Sequence, residues 1–172
     1  MVVIQMSVKE KILEFLKDAD RIVIMGIGNI LRGDDAAGAV IARKIALNAP
    51  KNVLVIDCGS APENYLGKIV NFNPSHILII DTMIVNEEPG RIKVVSESQI
   101  VDTLSFSTHK PSIHILIEYL KGFLKRVKFL VLGIQPKKLT LGEEMSKEVE
   151  NAVNKISYML MKILRSLRDG GE

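Results

Sequence analysis

Three aspartates and one histidine in this sequence could take part in catalysis or metal binding, because of their side chains and their places beside apolar runs or in a polar segment. The stretch MGIGNILRGDDAAGA follows an apolar run and carries Asp34 and Asp35 side by side. Asp81 closes the apolar run HILIID, and His109 lies in the polar segment DTLSFSTHKP. A carboxylate beside a core strand is costly to bury unless it is paired, hydrogen-bonded or metal-bound. These positions are therefore the first places to look for a site.

The glycine turn before the two aspartates could bind either an anion, such as a phosphate group, or a cation. Gly26 and Gly28 match the first two glycines of a dinucleotide-binding fingerprint, but Leu31 occupies the third glycine position. Two carboxylates at a helix start would repel a pyrophosphate, although a helix N-terminus itself attracts anions. A helix cap explains one aspartate, and we assign that structural role to Asp34. Capping explains the second, Asp35, poorly, so the turn is interpreted as presenting Asp35 to a cation.

Other polar residues at the strand ends have plainer explanations. Asp57 is followed by CGSAPEN, which is typical of a tight turn, and we interpret it as structural. Cys58 has no neighbour that would lower its pKa, so it is expected to be a small buried apolar side chain. His76 precedes its strand and His114 lies in a helical run, and both are expected to be structural.

Two carboxylates and one imidazole suit a divalent transition-metal ion that keeps open coordination positions. Asp35, Asp81 and His109 are therefore the candidate catalytic and metal-binding residues. The structural alternatives stay open: Asp81 as an aspartate of a turn, and His109 as a surface histidine. No HExxH helix, GxSxG turn or pair of cysteines competes as a site.

Apolar runs and helical periodicity predict the elements that must position these residues. The strands are predicted at 21–26, 52–59, 76–81, 91–96 and 127–134. The helices are predicted at 7–18, 34–48, 62–72, 112–125 and 143–168, with a polar loop at 102–111. This alternation favours an α/β fold in three layers, with a mostly parallel, twisted five-stranded sheet and helices on both faces. Ligands of such sheets bind outside the carboxyl ends of the strands, where the candidate residues fall.

Length and composition bound the class of protein. A chain of 172 residues with 47% apolar and 25% charged residues is expected to form one domain, residues 1–172. The single cysteine excludes an internal disulfide and fits a reducing compartment. No apolar run reaches the roughly 20 residues that span a bilayer. A net charge of +3 and the lack of tryptophan argue against nucleic-acid binding. We therefore expect a cytoplasmic protein without membrane insertion or nucleic-acid partner.

Five segments, in this order, resemble the hydrogenase maturation endopeptidases, most closely the branch that serves formate-hydrogenlyase (hydrogenase 3) type enzymes. The segments are GIGNILRGDDAAG, VIDCGSAPEN, ILIIDTMIV, FSTHKPSIHILIEYL and FLVLGIQP. Ala36 departs from the glycine that the family often has after the acidic pair. Alanine is the better helix former, so the expectation is a firmer first turn rather than a lost site.

The resemblance implies a twisted sheet flanked by helices and a single reaction. That reaction removes a short C-terminal extension from the large subunit of a nickel–iron hydrogenase after nickel insertion, so the expected partner is the precursor of that subunit. The resemblance also implies that Asp35, Asp81 and His109 contact the nickel, which the substrate supplies. The ion would polarise the scissile carbonyl or acidify a water, or one aspartate would act as general base. The peptidase is therefore formally aspartic-type or nickel-dependent, and the sequence leaves both routes open.

Two other classes of protein remain open at this point. A nickel-binding chaperone would need the same three ligands but would not cut its partner. A dinucleotide-binding α/β domain would need a phosphate-friendly turn, which the two aspartates oppose.

Overall fold

The computed structural model describes residues 6–99 and 113–169. Within this part of the chain, five strands form one sheet: β1 (Ile22–Ile27), β2 (Val53–Gly59), β3 (His76–Thr82), β4 (Ile92–Ser96) and β5 (Lys128–Ile134). The helices are α1 (Val8–Leu16), α2 (Ala37–Ile45), α3 (Leu66–Phe72), α4 (Ile113–Phe123) and α5 (Lys147–Asp169). Short 3-10 turns lie at Gly33–Ala36, Ala46–Asn48, Pro62–Tyr65 and Glu97–Gln99.

The strands are arranged in the order β2-β1-β3-β5-β4. β1 pairs in parallel with β2 and β3, β3 pairs in parallel with β5, and β4 runs antiparallel to β5 at one edge. The chain leaves β1 towards β2 on one side and then returns to β3 on the other. β1 and β3 therefore flank the point where the winding of the chain reverses, and open α/β sheets bind ligands outside that point.

Apolar side chains cover both faces of the sheet, as the continuous apolar strands require. On one face α1, α2 and α5 pack on alternate strand residues such as Ile24 and Leu78. On the other face α3 and α4 pack on the intervening residues, such as Met25 and Ile79. The prediction of a three-layer α/β fold with a mostly parallel five-stranded sheet is confirmed.

Glycine allows the first crossover to lie directly on the strand ends. A Cβ atom on Gly38 of α2 would lie 2.2 Å from the carbonyl oxygen of Ile27 and 2.3 Å from that of Ile80. A Cβ atom on Gly28 would lie 2.3 Å from the carbonyl oxygen of Asp35. Any larger residue at either glycine would push the turn or α2 away from β1 and β3. These two glycines thus set how close Asp35 lies to the sheet.

The helix predicted at 62–72 begins as a 3-10 turn and becomes α-helical only at Leu66, and two further predicted helices also differ from the structure at their starts. The helix expected at 34–48 begins as a 3-10 turn and becomes α-helical only at Ala37. The helix expected from 143 begins at Lys147. Both differences have one cause, because the N–H of Gly33 donates to Glu143 O (3.1 Å) and the N–H of Asp34 to Lys138 O (3.2 Å). These bonds hold the two segments as paired loops instead of helix ends. The polar loop predicted at 102–111 lies outside the described residues.

Candidate functional site

Asp34 is fully buried, and its carboxylate accepts four hydrogen bonds from the β5–α5 loop (residues 135–146). Oδ2 accepts from the backbone N–H groups of Lys137 (2.8 Å) and Lys138 (3.0 Å). The N–H and the hydroxyl of Ser146 donate to Oδ1 (2.6 Å) and Oδ2 (2.9 Å). Ser146 lies directly before α5, and the start of a helix favours a negative charge. These donors compensate the burial of the carboxylate.

The expectation that Asp34 caps a helix is wrong, although its role is structural. Arg32 occupies the cap position of the 3-10 turn and Ala36 that of α2, and neither cap makes a side-chain hydrogen bond. The partners of Asp34 lie 103 to 112 positions later in the chain. One of these partners, Ser146, is not predicted from the sequence. A serine before an amphipathic helix is typical of a cap, but nothing local in the sequence names a distant carboxylate as its partner.

Asp35 lies in the same 3-10 turn, and only 1% of its surface is exposed. Its N–H donates to the carbonyl oxygen of Arg32 at 3.1 Å. Its own carbonyl oxygen lies against Gly28, where a Cβ atom would not fit. The backbone of Asp35 is thus held on both sides by the turn that follows β1. The prediction that this aspartate lies at the carboxyl end of the first strand agrees with this placement.

Asp81 is the last but one residue of β3 and is fully buried. The N–H of Thr82 donates to Asp81 Oδ1 at 2.7 Å. By the alternation along β3, the Asp81 side chain lies on the same face as Ile79 and Met83, which pack under α3 and α4. Its backbone pairs with Gly133 of β5. A carboxylate therefore stands at the carboxyl end of β3, in the crevice that the strand order predicts.

A hydrogen bond joins the 3-10 turn that carries Asp35 to the end of β3, which carries Asp81. The hydroxyl of Thr82 donates to the carbonyl oxygen of Asp34 at 3.1 Å. Asp34 O belongs to the peptide group that leads into Asp35, and Thr82 directly follows Asp81. The backbones at Asp35 and Asp81 are consequently neighbours across the gap between β1 and β3. Thr82 is a second residue that the sequence analysis missed, because a threonine after a strand carries no local signal of such a bond.

The residues at the end of β2 behave as expected of structural side chains. Asp57 forms an ion pair with Arg43 of α2, and its Oδ1 accepts from the N–H of Gly59 at 3.0 Å. Cys58 is buried, and burial raises the pKa of its thiol to about 12, with the charges of Asp57 and Asp81 adding to the effect. A thiol with that pKa is not a thiolate at neutral pH, so it is a poor nucleophile and a poor metal ligand.

His76 lies at the opposite end of the sheet from the aspartates. Its ring is buried, with Nε2 3.3 Å from Asp18 and Nδ1 2.9 Å from the hydroxyl of Ser75. Burial lowers the pKa of His76, while the neighbouring Asp18 raises it and Lys128 lowers it. The contacts are those of a structural histidine. His114 is half-buried in the first turn of α4, and its structural role stays a prediction.

His109, the third predicted ligand, lies outside the described residues. Among residues 6–99 and 113–169, no three side chains of the types His, Cys, Asp or Glu are grouped as a metal site. The structure thus places Asp35, in its 3-10 turn, and Asp81, at the end of β3, on adjoining backbone segments, and the ligand roles of Asp35, Asp81 and His109 all stay predictions. Two buried carboxylates, one in a turn and one at the end of a neighbouring strand, can offer oxygen ligands to a divalent ion and acceptors to a water molecule.

Comparisons with known proteins point to one family. The sequence profile described as hydrogenase maturation protease (HycI) matches residues 40–163, which include Asp81 and His109. The hydrogenase 3 maturation protease of Escherichia coli K12 is 34% identical over 138 residues, covering 80% of this chain and 87% of that protein.

Solved structures of similar proteins have the same fold. A nickel–iron hydrogenase maturation protease, HycI of Thermococcus kodakarensis KOD1, superposes with a TM-score of 0.82 at 29% identity, covering 90% of this chain and 99% of its own. The hydrogenase maturating endopeptidase HybD of Escherichia coli superposes with a TM-score of 0.67 at 25% identity, covering 88% and 94%. In the part of the chain described here, no helix combines the length and the apolar character needed to cross a bilayer.

Proposed function

This chain belongs to the hydrogenase maturation protease family, and we propose that it removes the C-terminal extension from the large subunit of a nickel–iron hydrogenase. The cut follows nickel insertion, and the metal enters the site with the precursor. Family membership supports peptidase activity on a hydrogenase, and the site supports recognition of the metal.

In this proposal Asp35 and Asp81 each offer a carboxylate oxygen, and His109 offers an imidazole nitrogen, to the nickel of the precursor. A precursor without nickel lacks the ion that these side chains bind. Binding energy is then available only to the loaded precursor, which makes cleavage conditional on the metal. The three residues have two roles, since they bind the nickel and also border the scissile peptide bond.

The observation that carries the proposal is the pair of buried aspartates at the reversal point of the sheet. Asp35 is 1% exposed and Asp81 fully buried, and Thr82 joins the turn of Asp35 to the end of β3. Two carboxylates held on adjoining backbone segments can supply oxygen ligands to one divalent cation. The two aspartates also oppose a phosphate ligand, which argues against a dinucleotide at the same turn.

The reaction itself is hydrolysis of one peptide bond. The oxygen of a water molecule bonds to the carbonyl carbon, the C–N bond breaks, and the new amine takes a proton. An aspartate that accepts a proton from the water would raise its nucleophilicity. Nickel bound to the substrate would polarise the carbonyl or acidify the water.

Mass spectrometry of an unprocessed hydrogenase large subunit tests the proposal. The precursor is incubated with this protein, once loaded with nickel and once free of metal. We expect the loaded precursor to lose the mass of its extension and the metal-free precursor to keep it. A loaded precursor that keeps its tail contradicts the protease function. If it also stays bound to this protein through Asp35 and Asp81, a nickel-binding chaperone is the better description.

Single substitutions test the three residues. Asp35→Ala, Asp81→Ala and His109→Ala should each slow cutting of the loaded precursor by about 100-fold or more, the usual contribution of a group that acts on the reacting atoms. Asp57→Asn is the matched control, because Asp57 ends the neighbouring strand but pairs with Arg43. It should cut at nearly the normal rate. If one of the three alanine variants cuts the loaded precursor at the normal rate, the residue replaced in that variant is not part of the site.

A further inference from the structure

We infer that Asp34 is a positioning residue that, through Thr82, sets where Asp35 stands relative to Asp81. The inference rests on the proposed function, because it concerns the geometry of the site that binds the nickel of the precursor. It adds two residues, Asp34 and Thr82, which need not touch substrate.

The carboxylate of Asp34 is held by the protein on both of its oxygens. Both oxygens accept hydrogen bonds from the β5–α5 loop, at 2.6 to 3.0 Å. Four donors occupy most of the acceptor capacity of the group. The carboxylate is therefore committed to the protein and fixes the 3-10 turn to the start of α5. Asp34 is adjacent to Asp35 in the sequence, but its carboxylate thus has a different role.

The backbone of Asp34 is also hydrogen-bonded at both its N–H and its carbonyl oxygen. The N–H of Asp34 donates to Lys138 O at 3.2 Å, and its carbonyl oxygen accepts from the hydroxyl of Thr82 at 3.1 Å. This carbonyl belongs to the peptide group that continues into Asp35. A shift of Asp34 would therefore rotate or displace Asp35.

Thr82 is fully buried and forms hydrogen bonds with both Asp81 and Asp34. Its N–H donates to Asp81 Oδ1 at 2.7 Å and its hydroxyl donates to Asp34 O. The hydroxyl is the direct link between the turn of Asp35 and the strand end of Asp81. Two ligands of one ion need a fixed separation, and a displacement of about 1 Å can cost roughly 100-fold in rate.

The test removes only the Thr82 hydroxyl. Thr82→Val keeps the shape of the side chain, and Asp34 O still accepts from the N–H of Ala37. With nickel-loaded precursor as substrate, we expect kcat of Thr82→Val to fall by about 10-fold or more. KM should stay within about twofold, because the docking surface is untouched, and Thr82→Ser, which restores the hydroxyl, should regain most of the rate.

Two further variants separate positioning from general stability. Ser146→Ala removes one of the four donors to the Asp34 carboxylate and should lower kcat less than Thr82→Val does. Asp57→Asn should keep the normal kcat. The midpoint of thermal unfolding, followed by circular dichroism, should be nearly the same for Thr82→Val and Thr82→Ser, while their kcat values differ.

The outcomes distinguish this inference from the function on which it rests. If the unmodified protein cuts the loaded precursor and Thr82→Val cuts equally fast, the positioning role is wrong and the protease function stands. A kcat that falls equally in Thr82→Val and Thr82→Ser, together with a lowered unfolding midpoint, also contradicts positioning. If the unmodified protein does not cut, both proposals fail.

Discussion

At the scale of single residues, the two aspartates of the glycine turn differ in what surrounds their carboxylates. Asp34 is bonded to the N–H groups of Lys137, Lys138 and Ser146 and to the Ser146 hydroxyl. Asp35 lies one position further on, beside the end of β3. The adjacent acids therefore differ in role, since Asp34 fixes the turn and Asp35 is the one proposed to bind the nickel of the precursor.

Asp34→Asn should destabilise the protein strongly. Both carboxylate oxygens accept from N–H groups, so an amide NH2 in either orientation would face a donor and leave it unsatisfied. The free energy of unfolding should fall by about 3 kcal/mol, the usual effect of losing charge-assisted hydrogen bonds at a buried site. Urea unfolding measures it. Asp57→Asn, which weakens a partly exposed ion pair, should cost only about 1 kcal/mol or less. An equal loss in both variants would contradict the role given to Asp34.

Cys58 provides a prediction about reactivity. Its pKa is raised to about 12 by burial first and by nearby Asp57 and Asp81 second. The group therefore stays a neutral thiol from pH 6 to pH 9, and native protein should react with iodoacetamide far more slowly than urea-unfolded protein at pH 8. Cys58→Ala should retain cutting of the precursor. Rapid labelling of the native thiol, or loss of cutting in the alanine variant, would call for a cysteine mechanism instead.

The sequence identified the positions of Asp35 and Asp81 because each follows an apolar run, and parallel strands end at one edge of a sheet. It did not identify the partners of Asp34. Three of the four donors are backbone N–H groups, which every residue but proline carries, so no residue type marks them. Hydrogen bonds across more than 100 positions leave no local pattern in the chain.

At the scale of elements, the fit of α2 against β1 and β3 depends on the absence of one side chain. Gly38→Ala would place a Cβ atom within 2.3 Å of two backbone carbonyl oxygens, which cannot rotate away. We expect a loss of about 1–3 kcal/mol in the free energy of unfolding from this overpacking. Gly67→Ala is the matched control within α3, since nothing lies within 4 Å of its added Cβ. It should stabilise by about 0.5–1 kcal/mol through helix propensity.

Denaturant unfolding of the two alanine variants measures both effects. Both variants replace a glycine by alanine within a helix, so the opposite signs of the two changes in unfolding free energy are more informative than their magnitudes. A Gly38→Ala variant as stable as the unmodified protein would mean that α2 does not lie as close to Ile27 and Ile80 as described. Cutting of the precursor should fall in Gly38→Ala as well, since the displaced α2 would carry the Asp35 turn with it.

Element types were predictable, while three helix starts, that of α3 at Leu66 among them, were not. The apolar runs predicted all five strands, since buried parallel strands need apolar side chains on both faces. The 3-10 form of Gly33–Ala36 and the start of α5 at Lys147 were missed. Both depend on bonds between Gly33, Asp34 and the β5–α5 loop, and helical propensity in each segment alone favours a longer helix.

At the scale of the whole molecule, the strand order is what makes the site. β1 and β3 are separated along the chain by β2 but lie side by side in the sheet. The sequence predicts that all carboxyl ends share an edge, and it does not predict which strands are neighbours. Any order that separated β1 from β3 would leave Asp35 and Asp81 a strand spacing or more further apart.

The two ends of the sheet should respond differently to the precursor. Amide hydrogen exchange, read by mass spectrometry, should slow in the turn around Ile30 and Leu31 and in residues 137–144 when nickel-loaded precursor is added. Exchange should stay unchanged at the opposite end, around Asn73 and Leu124, where a cleft lies between α3 and α4. Protection at that opposite end alone would place docking away from the aspartates and contradict the proposed site.

The bonds between Asp34 and Ser146 also determine when during synthesis the site can exist. The donor and acceptor are 112 positions apart, so the bond cannot form before nearly all of the described chain has been made. Contacts this distant in sequence carry a large cost in loop-closure entropy, which slows their formation. A nascent or truncated chain that lacks Ser146 would leave the Asp34 carboxylate without two of its donors and the Asp35 turn unanchored. Proteolytic competence would then arise only with the finished fold, which protects other proteins in the cell from a partly made peptidase.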